Sequence, residues 1–451
     1  MINKLLIAAL ALMIWGPPRL RVVPRALEAS LADPLNIDLA ALLQVLVWLF
    51  CGLVVLLAMV SRGTDRPPLP RALRRGSLTA YLLFCCYALL STAYSLNALY
   101  TLFFAAKLLI ALLACGLLLD AYRPTDAVRR LLAVFYAVNV AQWLVIVVCY
   151  YTSPSLVGGE IPGVGYRLNA ALFDDYGFFA AISGLYFLFR LAQPLRALHR
   201  LCFLLLYAFS LYFVYLSWTR SAIASAVMFF FLFVGLHQKR WIQAVSLAGC
   251  VTAVLAAVLS GFGSDVLAYL IRGQSMEAIR SMTGRTTVFQ YLFSIWKESP
   301  IWGYGYAAAN REFLVSFVYE YRMGIGAAHD AISKVLVDLG IAGLAILTLT
   351  VGYGFKEMAR AWSSSQRWAD SRQLCQHCIA LFAIALLRSL VSGGVADLCL
   401  PLAIALGSFT ILRSARPYAA GAQAPVPWVT CRPDGARAAP VPVVGGARRT
   451  V

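Results

Sequence analysis

The sequence predicts an all-α polytopic membrane protein with about twelve transmembrane helices. Hydrophobic residues make up 61% of the 451 positions, and charged residues make up only 13%. In an ordinary soluble domain about a quarter of the residues are charged. The apolar residues are also gathered in runs that approach the roughly 20 residues a helix needs to cross a bilayer.

The apolar runs set the order of the predicted spans. The first, residues 3–16, also resembles the hydrophobic part of a signal sequence. It lacks a small-residue cleavage site and is followed by Pro17, Pro18 and several arginines, so we interpret it as a span. The other runs lie at residues 36–60, 78–95, 98–120, 129–151, 172–190, 199–217, 221–236, 241–260, 331–355, 374–391 and 393–412.

Lysines and arginines in the loops predict how these spans are oriented. Basic residues are concentrated in the short cytoplasmic loops of membrane proteins. With a cytoplasmic N-terminus, the inner loops and the two chain ends hold 24 of the 38 lysines and arginines. The formal net charge of +18 is therefore mainly an orientation signal. No basic stripe with interleaved aromatic residues accompanies it, so nucleic acid is not a predicted partner.

This topology places one large helical loop, residues 261–330, on the outer face between the ninth and tenth spans. The loop holds six basic and six acidic residues, so it is nearly neutral and anion binding there requires particular arginines. Within it, residues 289–296 are apolar on all sides, which predicts a helix that lies on the membrane or against the bundle. A large outer loop is typical of an enzyme that works on that side of the membrane.

Two domains follow from this division of the chain. Residues 1–413 form the predicted membrane domain, which includes the outer loop. Residues 414–451 are rich in Ala, Pro, Gly, Val and Arg. Such a segment cannot bury a core, and we predict a disordered cytoplasmic tail.

The eleven cysteines give no sign of a disulfide framework or a metal site. Most lie inside apolar runs, where a thiol behaves as a small hydrophobe, and the outer loops contain none. Cys375, His377 and Cys378 are close in sequence, but three such residues without a fourth make a poor metal site. We therefore predict neither a metal nor a cofactor.

His329 is the candidate catalytic residue, because it alone of the four histidines lies in a polar outer segment. It stands at the mouth of an apolar helix, is preceded by small residues and is followed by Asp330. A capping or interfacial role is the structural alternative. Lys334 and Asp338 follow on the same helix at i, i+4 spacing. Ionisable groups in a span suggest function, but for these two we favour the structural interpretation that they neutralise each other.

Three arginines on the outer face are candidates for binding a phosphate. Arg220 lies in a short turn between two spans, Arg285 lies in the outer loop, and Arg167 precedes the sixth span. A guanidinium holds a phosphate through paired N–H donors. The structural alternative for each is an interfacial arginine whose alkyl chain packs on apolar surface.

These residues stand in motifs that resemble a known family. The motifs are S-W-T-R-S-A at 217–222, the G-R pair at 284–285, P-I-W-G-Y-G-Y at 300–306 and H-D-A-I-S-K-V-L-V-D-L-G-I-A-G at 329–343. Their order and spacing resemble the superfamily of bacterial O-antigen ligases and Wzy-type O-antigen or exopolysaccharide polymerases. Asp330 stands where this family commonly has Asn, so a carboxylate here neighbours the histidine and can raise its pKa or orient it.

The resemblance implies a metal-independent glycosyl transfer at the periplasmic face of the bacterial inner membrane. The donor would be an oligosaccharide linked to undecaprenyl diphosphate, and the acceptor a hydroxyl of a glycan or of the lipid A core. Arg220 and Arg285, with Arg167 as a weaker candidate, would bind the diphosphate. His329 would act as general base, supported by Asp330 and Asp338. Membrane lipid and a chain-length regulator are the further partners implied.

Polymerase and ligase differ only in the acceptor, and we favour a polymerase because the outer loop is compact. A flippase or transporter is the alternative from another class. Lys107 and Arg388, which lie inside predicted spans, favour a transport pathway. The gathering of polar residues in one late outer loop favours an enzyme, since transporters tend to show internal repeats with interrupted helices. No P-loop pattern is present, which argues against ATP-driven transport.

Overall fold

Helices make up most of the computed structural model. The structure describes residues 2–15, 39–62, 69–74, 76–161, 165–168, 176–193, 195–217, 219–236, 285–308, 312–313, 331–366, 369–391 and 395–413. Twelve α-helices have both ends within these ranges: α1 (Ile2–Trp15), α2 (Leu39–Val60), α3 (Ser77–Leu90), α4 (Ala98–Ala121), α5 (Pro124–Thr152), α6 (Tyr176–Leu191), α7 (Ala197–Leu216), α8 (Arg220–Leu236), α9 (Arg285–Glu298), α10 (Ala331–Ser365), α11 (Ala369–Val391) and α12 (Val395–Leu412).

Eleven of the twelve predicted apolar runs coincide with one of these helices. The twelfth run, residues 241–260, lies outside the described residues, as do most of the outer loop and all of the predicted tail, residues 414–451. Within the outer loop, the apolar segment 289–296 forms part of α9 and lies against α10, one of its two predicted positions.

Six of the described helices are long and apolar enough to cross a membrane: α2, α3 with its following turn, α4, α5, α7 and α10. Their outward faces carry exposed large hydrophobic side chains, such as Leu53 and Leu56 on α2 and Leu201 and Leu205 on α7. Contiguous exposed apolar surface of this kind marks contact with lipid. The chain is therefore a helical, multi-pass membrane protein.

A short β-hairpin is the one departure from the all-α prediction among the described residues. Strand β1 (Gly158–Ile161) pairs in antiparallel fashion with β2 (Gly165–Leu168). The hairpin follows α5 directly, and Val157 before it and Leu168 at its end are buried in the main core. Strands of four residues are too short to give a clear alternating pattern in the sequence.

Close contacts between small residues bring several helices together. Gly184 of α6 faces Ser210 of α7, and Gly354 of α10 faces Phe382 and Leu406. Small residues let helix backbones approach closely, and packing of this kind is a main source of stability between helices in lipid. The largest buried side chains, which include Trp143 and Phe213, fill the spaces between α5 and α7.

Helix α10 extends ten residues beyond the predicted span end at 355, and the buried Glu357 explains the extension. The Glu357 carboxylate accepts hydrogen bonds from the hydroxyls of Ser77 and Thr410, the latter at 2.7 Å. Arg413 lies 3.0 Å from its other oxygen. These contacts connect α10 to α3 and α12.

Asp120 makes a second polar cluster at the same end of the bundle. It pairs with Arg62 at 2.7 Å and accepts the backbone N–H groups of Arg71 and Ala72. We call this the basic end, because it carries the arginine-rich loops that the sequence assigns to the cytoplasm. The other end is called the opposite end.

Candidate active site

Helix α10 is broken at Gly340, nine residues after its first residue. Gly340 has φ 66° and ψ −168°, which lies outside the helical region. A side chain at this position would overlap the backbone of Ile301. Glycine is required here for both reasons, since a Cβ disfavours positive φ and would exclude the approaching chain.

The segment of residues 299–308, which we call the bridging segment, supplies the hydrogen bonds that the break removes. The N–H of Ile341 donates to the carbonyl oxygen of Pro300 at 2.9 Å. On the other side of the break, the N–H of Gly305 donates to the carbonyl oxygen of Asp338 at 2.8 Å. A helix break leaves orphan donors and acceptors, and an unpaired backbone group inside a membrane protein costs several kcal/mol.

Asp338 holds the bridging segment by its side chain as well. It is 1% exposed, and its Oδ2 accepts the backbone N–H of Ala307 at 2.9 Å. Ala307 has φ 63°, a left-handed conformation that is strained for a residue with a Cβ. The expected neutralisation by Lys334 is not found, since no ion pair joins these two described side chains. The carboxylate is directed to the bridging segment instead.

The bridging segment is also attached to the turn between α3 and α4. The Tyr306 N–H donates to Ser91 Oγ at 3.0 Å, and Thr101 Oγ1 donates to the Tyr306 carbonyl oxygen at 2.9 Å. The N–H of Leu96 donates to the carbonyl oxygen of Tyr304 at 3.1 Å. The segment is thus fixed between α10 and the α3–α4 turn, at the opposite end of the bundle.

Tyr304 shows that this region is partly shielded from water. Desolvation by burial, followed by the negative charge of Glu298, raises the pKa of Tyr304. The phenol therefore stays protonated at neutral pH. Its hydroxyl lies 3.2 Å from both Glu298 Oε2 and the carbonyl oxygen of Ile295, which connects the bridging segment to the end of α9.

Helices α9 and α10 run side by side in the same direction. Pro300, just after the end of α9, meets Ile341, just after the break in α10. Nearer the starts of both helices, Phe289 and Ile332 line the same groove. The two N-termini therefore lie at one end. The groove between the helices has a volume of about 560 Å³ and an apolar lining, with Gln290 and Ser333 as its two polar residues.

Three predicted site residues lie at or just before these N-termini in the sequence. Arg285 is the first residue of α9, and the structure describes its backbone position. His329 and Asp330 lie outside the described residues, immediately before Ala331 in the chain. The described part of the chain thus brings the start of α9 and the start of α10 together.

Arg220 is the first residue of α8, directly after the turn that follows α7. This agrees with the predicted short turn. The Thr219 N–H donates to Ser217 Oγ at 3.2 Å, and the Ala222 N–H donates to the Thr219 carbonyl oxygen at 3.0 Å. The start of α6 also packs on this turn, since Gly177 contacts Ser217 and Ala222.

Arg167 lies on β2, where its backbone is paired with Gly159. Strand β2 contacts α7, whose last residue is Leu216. The hairpin also follows the end of α5 at Thr152. The backbone of Arg167 is therefore at the same end of the bundle as the turn before Arg220.

The two cations inside predicted spans each lie against aromatic rings. The Lys107 ammonium is 4.8 Å from the Phe104 ring and 5.1 Å from the Trp48 ring. The Arg388 guanidinium is 4.4 Å from the Phe178 ring. Contacts of this kind stabilise a cation in an apolar environment. Lys107 lies at the α2–α4 contact and Arg388 at the α6–α11 contact, so the two cations belong to different helix pairs.

In the Cys375, His377 and Cys378 cluster the two cysteines are buried, and His377 packs against side chains of α5 and α6. His377 Nδ1 lies 3.0 Å from the Tyr136 hydroxyl, and its ring centre is 4.0 Å from that of Phe189. Across the part of the chain that the structure describes, no three His, Cys, Asp or Glu side chains are arranged to hold a metal ion.

Sequence reasoning missed the polar residues that support the bridging segment, namely Ser91 and Thr101. Each lies in or beside an apolar run, and its partner is more than 200 residues away in sequence. The one signal in the sequence was that both residues lie near the boundary between two predicted spans. A hydroxyl at such a boundary can bind protein groups instead of facing lipid.

Comparisons with known proteins agree with the motifs. The family model described as O-antigen ligase, Wzy_C, matches residues 204–348, which include α8, α9, the bridging segment and the break in α10. No curated protein matches the chain significantly. The matched residues carry all four motifs in full, together with Asp338 and Gly340. The match at residues 204–348 supports the resemblance to the O-antigen ligase and Wzy superfamily.

Proposed function

We propose that the protein is a glycosyltransferase of the bacterial inner membrane that acts as a Wzy-type polysaccharide polymerase. It transfers an undecaprenyl diphosphate-linked glycan onto an acceptor hydroxyl at the periplasmic face. The observation that carries this proposal is the parallel pairing of α9 and α10, with Arg285 at the start of one helix and His329 two residues before the other in the sequence.

The proposed reaction requires a group to bind the diphosphate and a group to activate the acceptor. His329 takes the proton from the acceptor hydroxyl while its oxygen forms a bond to the anomeric carbon of the donor. The bond from that carbon to the diphosphate breaks, and undecaprenyl diphosphate leaves with the electron pair. Asp330 orients the imidazole. Asp338 acts at a distance, by holding the bridging segment that closes the break in α10.

Arg285, Arg220 and Arg167 bind the diphosphate in this proposal and stabilise the charge that develops on it. Their support is the position of their backbones: one begins α9, one begins α8, and one lies on the hairpin beside α7. Helix N-termini favour anions, since their free N–H groups and the helix dipole attract negative charge. Arginine donors placed there would add to this attraction.

The donor's isoprenoid chain requires an apolar surface next to its diphosphate. The groove between α9 and α10 offers one, because Phe289, Phe293 and Ile332 line it close to the two helix N-termini. A donor with a water-soluble carrier would have no use for this lining. The groove therefore supports a lipid-linked donor.

A ligase that transfers glycan to the lipid A core is the second candidate, favoured by the description of the matching family model. The transporter alternative receives less support. Lys107 and Arg388 lie on separate helix pairs and against their own aromatic rings. Charged residues that form a transport pathway are expected to face one shared cavity.

The decisive experiment is reconstitution of the purified protein in lipid with an undecaprenyl diphosphate-linked oligosaccharide repeat, without ATP and without lipid A core. A ladder of products at multiples of the repeat on a gel establishes a polymerase. Product that forms only when lipid A core is added makes the protein a ligase. The absence of product with either acceptor contradicts the proposed glycosyl transfer.

A further inference from the structure

Two sets of contacts place Arg388 near the turn that precedes Arg220. The first set shows how α8 and α11 are arranged. The Gln376 side chain near the start of α11 donates to the carbonyl oxygen of Leu236 at the end of α8, at 2.8 Å. The two helices are in contact. They run in opposite directions, because Phe189 of α6 lies against both Phe233 near the end of α8 and His377 near the start of α11. At about 1.5 Å per residue, Arg388 is about 18 Å from Gln376 along α11 and Arg220 about 24 Å from Leu236 along α8. Measured along the helix axes, the positions of Arg388 and Arg220 thus differ by less than about two helical turns.

A second, independent set of contacts leads to the same place through α6. The Arg388 guanidinium lies on the Phe178 ring at 4.4 Å. The neighbouring residue, Gly177, packs against Ser217 and Ala222, which stand on the two sides of Arg220 in the sequence. The end of α11, the start of α6 and the turn before α8 therefore meet at the opposite end of the bundle.

We propose that Arg388 binds the donor's diphosphate together with Arg220. This proposal rests on the function proposed above, and it adds a residue outside the matched family segment 204–348. An arginine side chain is long enough to bridge the difference in level between the two positions. Its planar guanidinium presents five N–H donors suited to phosphate oxygens.

The ring contact is compatible with this role. A cation–π contact uses the face of the aromatic ring and consumes no hydrogen-bond donor, so the contact with Phe178 orients Arg388 without using its N–H groups. The alternative is a purely structural arginine that interacts with the C-terminal carbonyls of α11, since Arg388 lies in the last turn of that helix. The two roles predict different ligand affinities.

The test measures binding of undecaprenyl diphosphate to the full-length protein in lipid nanodiscs. The Arg388→Gln variant is expected to bind about 10- to 100-fold more weakly, since charge-assisted hydrogen bonds are lost. The Arg388→Lys variant is expected to retain part of the affinity, because it keeps the charge and loses the paired donors. Undecaprenol, which has no phosphate, is expected to bind both variants and the unchanged protein equally.

Arg190→Gln is the matched control. Arg190 also lies on an aromatic ring, that of Phe203 at 5.4 Å, but at the basic end of α6. We expect its removal to change undecaprenyl diphosphate affinity by less than about twofold. The thermal stability of each variant is measured in parallel. If Arg388→Gln does not fold, the undecaprenyl diphosphate affinity of Arg388→Lys tests the proposal instead.

Undiminished affinity of a folded Arg388→Gln variant, or of Arg388→Lys where Gln does not fold, would overturn the assignment. An equal loss of undecaprenol binding would also overturn it, since that result indicates a structural role. Failure of the proposed function is a separate result. If the unchanged protein binds undecaprenyl diphosphate but transfers no glycan, the proposed glycosyltransferase function is contradicted. The measured affinities of the variants still decide whether Arg388 binds the diphosphate.

Discussion

The Ala307 backbone N–H donates a hydrogen bond of 2.9 Å to Asp338 Oδ2, although 31 residues separate the two positions. This contact fastens the bridging segment to α10 just before the break at Gly340. The first part of α10, which begins two residues after His329 in the chain, is thereby held to the bridging segment. Asp338 is a positioning residue, because it acts through the segment it holds.

Asp338→Ala is expected to lower transfer activity at least about 10-fold and to destabilise the protein by about 1–3 kcal/mol, because the buried Ala307 N–H loses its acceptor. Asp338→Asn retains an acceptor oxygen and should recover most of the stability. Activity and thermal unfolding of the detergent-purified variants test this expectation. Equal stability of the Ala and Asn variants would show that the hydrogen bond is unimportant.

Gly340→Ala is expected to destabilise the protein by about 2 kcal/mol or more. The backbone conformation of Gly340 is one that essentially only glycine adopts, and it costs another residue about 1–3 kcal/mol. The added methyl group also overlaps the Ile301 backbone. Gly352→Ala, in the same helix, is the control because a Cβ there meets nothing within 4 Å. That variant should be neutral or up to about 1 kcal/mol more stable. The prediction fails if both alanines have the same effect.

His329→Ala and Arg220→Ala should each reduce transfer at least about 100-fold, since one removes the proposed general base and the other a proposed diphosphate ligand. Both proteins should still insert into the membrane and express. His199→Ala is the control, because His199 is exposed at the start of α7. Product yield per inserted protein is the measurement. Retained activity in the His329 variant removes the general-base assignment.

Glu357→Ala separates stability from activity. It leaves the hydroxyls of Ser77 and Thr410 and the cation of Arg413 without their shared acceptor. Removal of one partner of a buried ion pair costs about 3–5 kcal/mol. Activity per folded protein should stay near the unchanged level, because Glu357 lies about 25 Å along α10 from Gly340 at 1.5 Å per residue. Loss of activity in folded protein would contradict this separation.

Ile332→Trp tests whether the groove between α9 and α10 takes the donor's lipid. The larger side chain would fill part of the groove. We expect the KM for an undecaprenyl-linked donor to rise several-fold, with a smaller effect on a donor that has a short isoprenoid chain. Leu349→Trp is the control, since Leu349 is exposed on the same helix and does not line the groove. Equal effects on long and short donors would argue against lipid binding there.

Much of the fold and part of the site followed from the sequence. The helical membrane class was confirmed, and so was the superfamily. The turn before Arg220 and the helix at residues 289–296 were also found where the pattern indicated them. The hairpin that carries Arg167 was not predicted, and the partner of Asp338 was wrongly expected to be Lys334.

The amino-acid sequence by itself determined the apolar helices and the charge difference between the loops. Both are local properties, because transfer of a helix into lipid depends on its own side chains and the loop charges act near its ends. The tertiary structure alone decided which distant segments meet. The bridging segment is placed by backbone groups that the break at Gly340 leaves without partners, and Arg388 is placed at Phe178 by the packing of α6 against α11. Such contacts depend on the fold of the whole bundle, and no short sequence pattern specifies them.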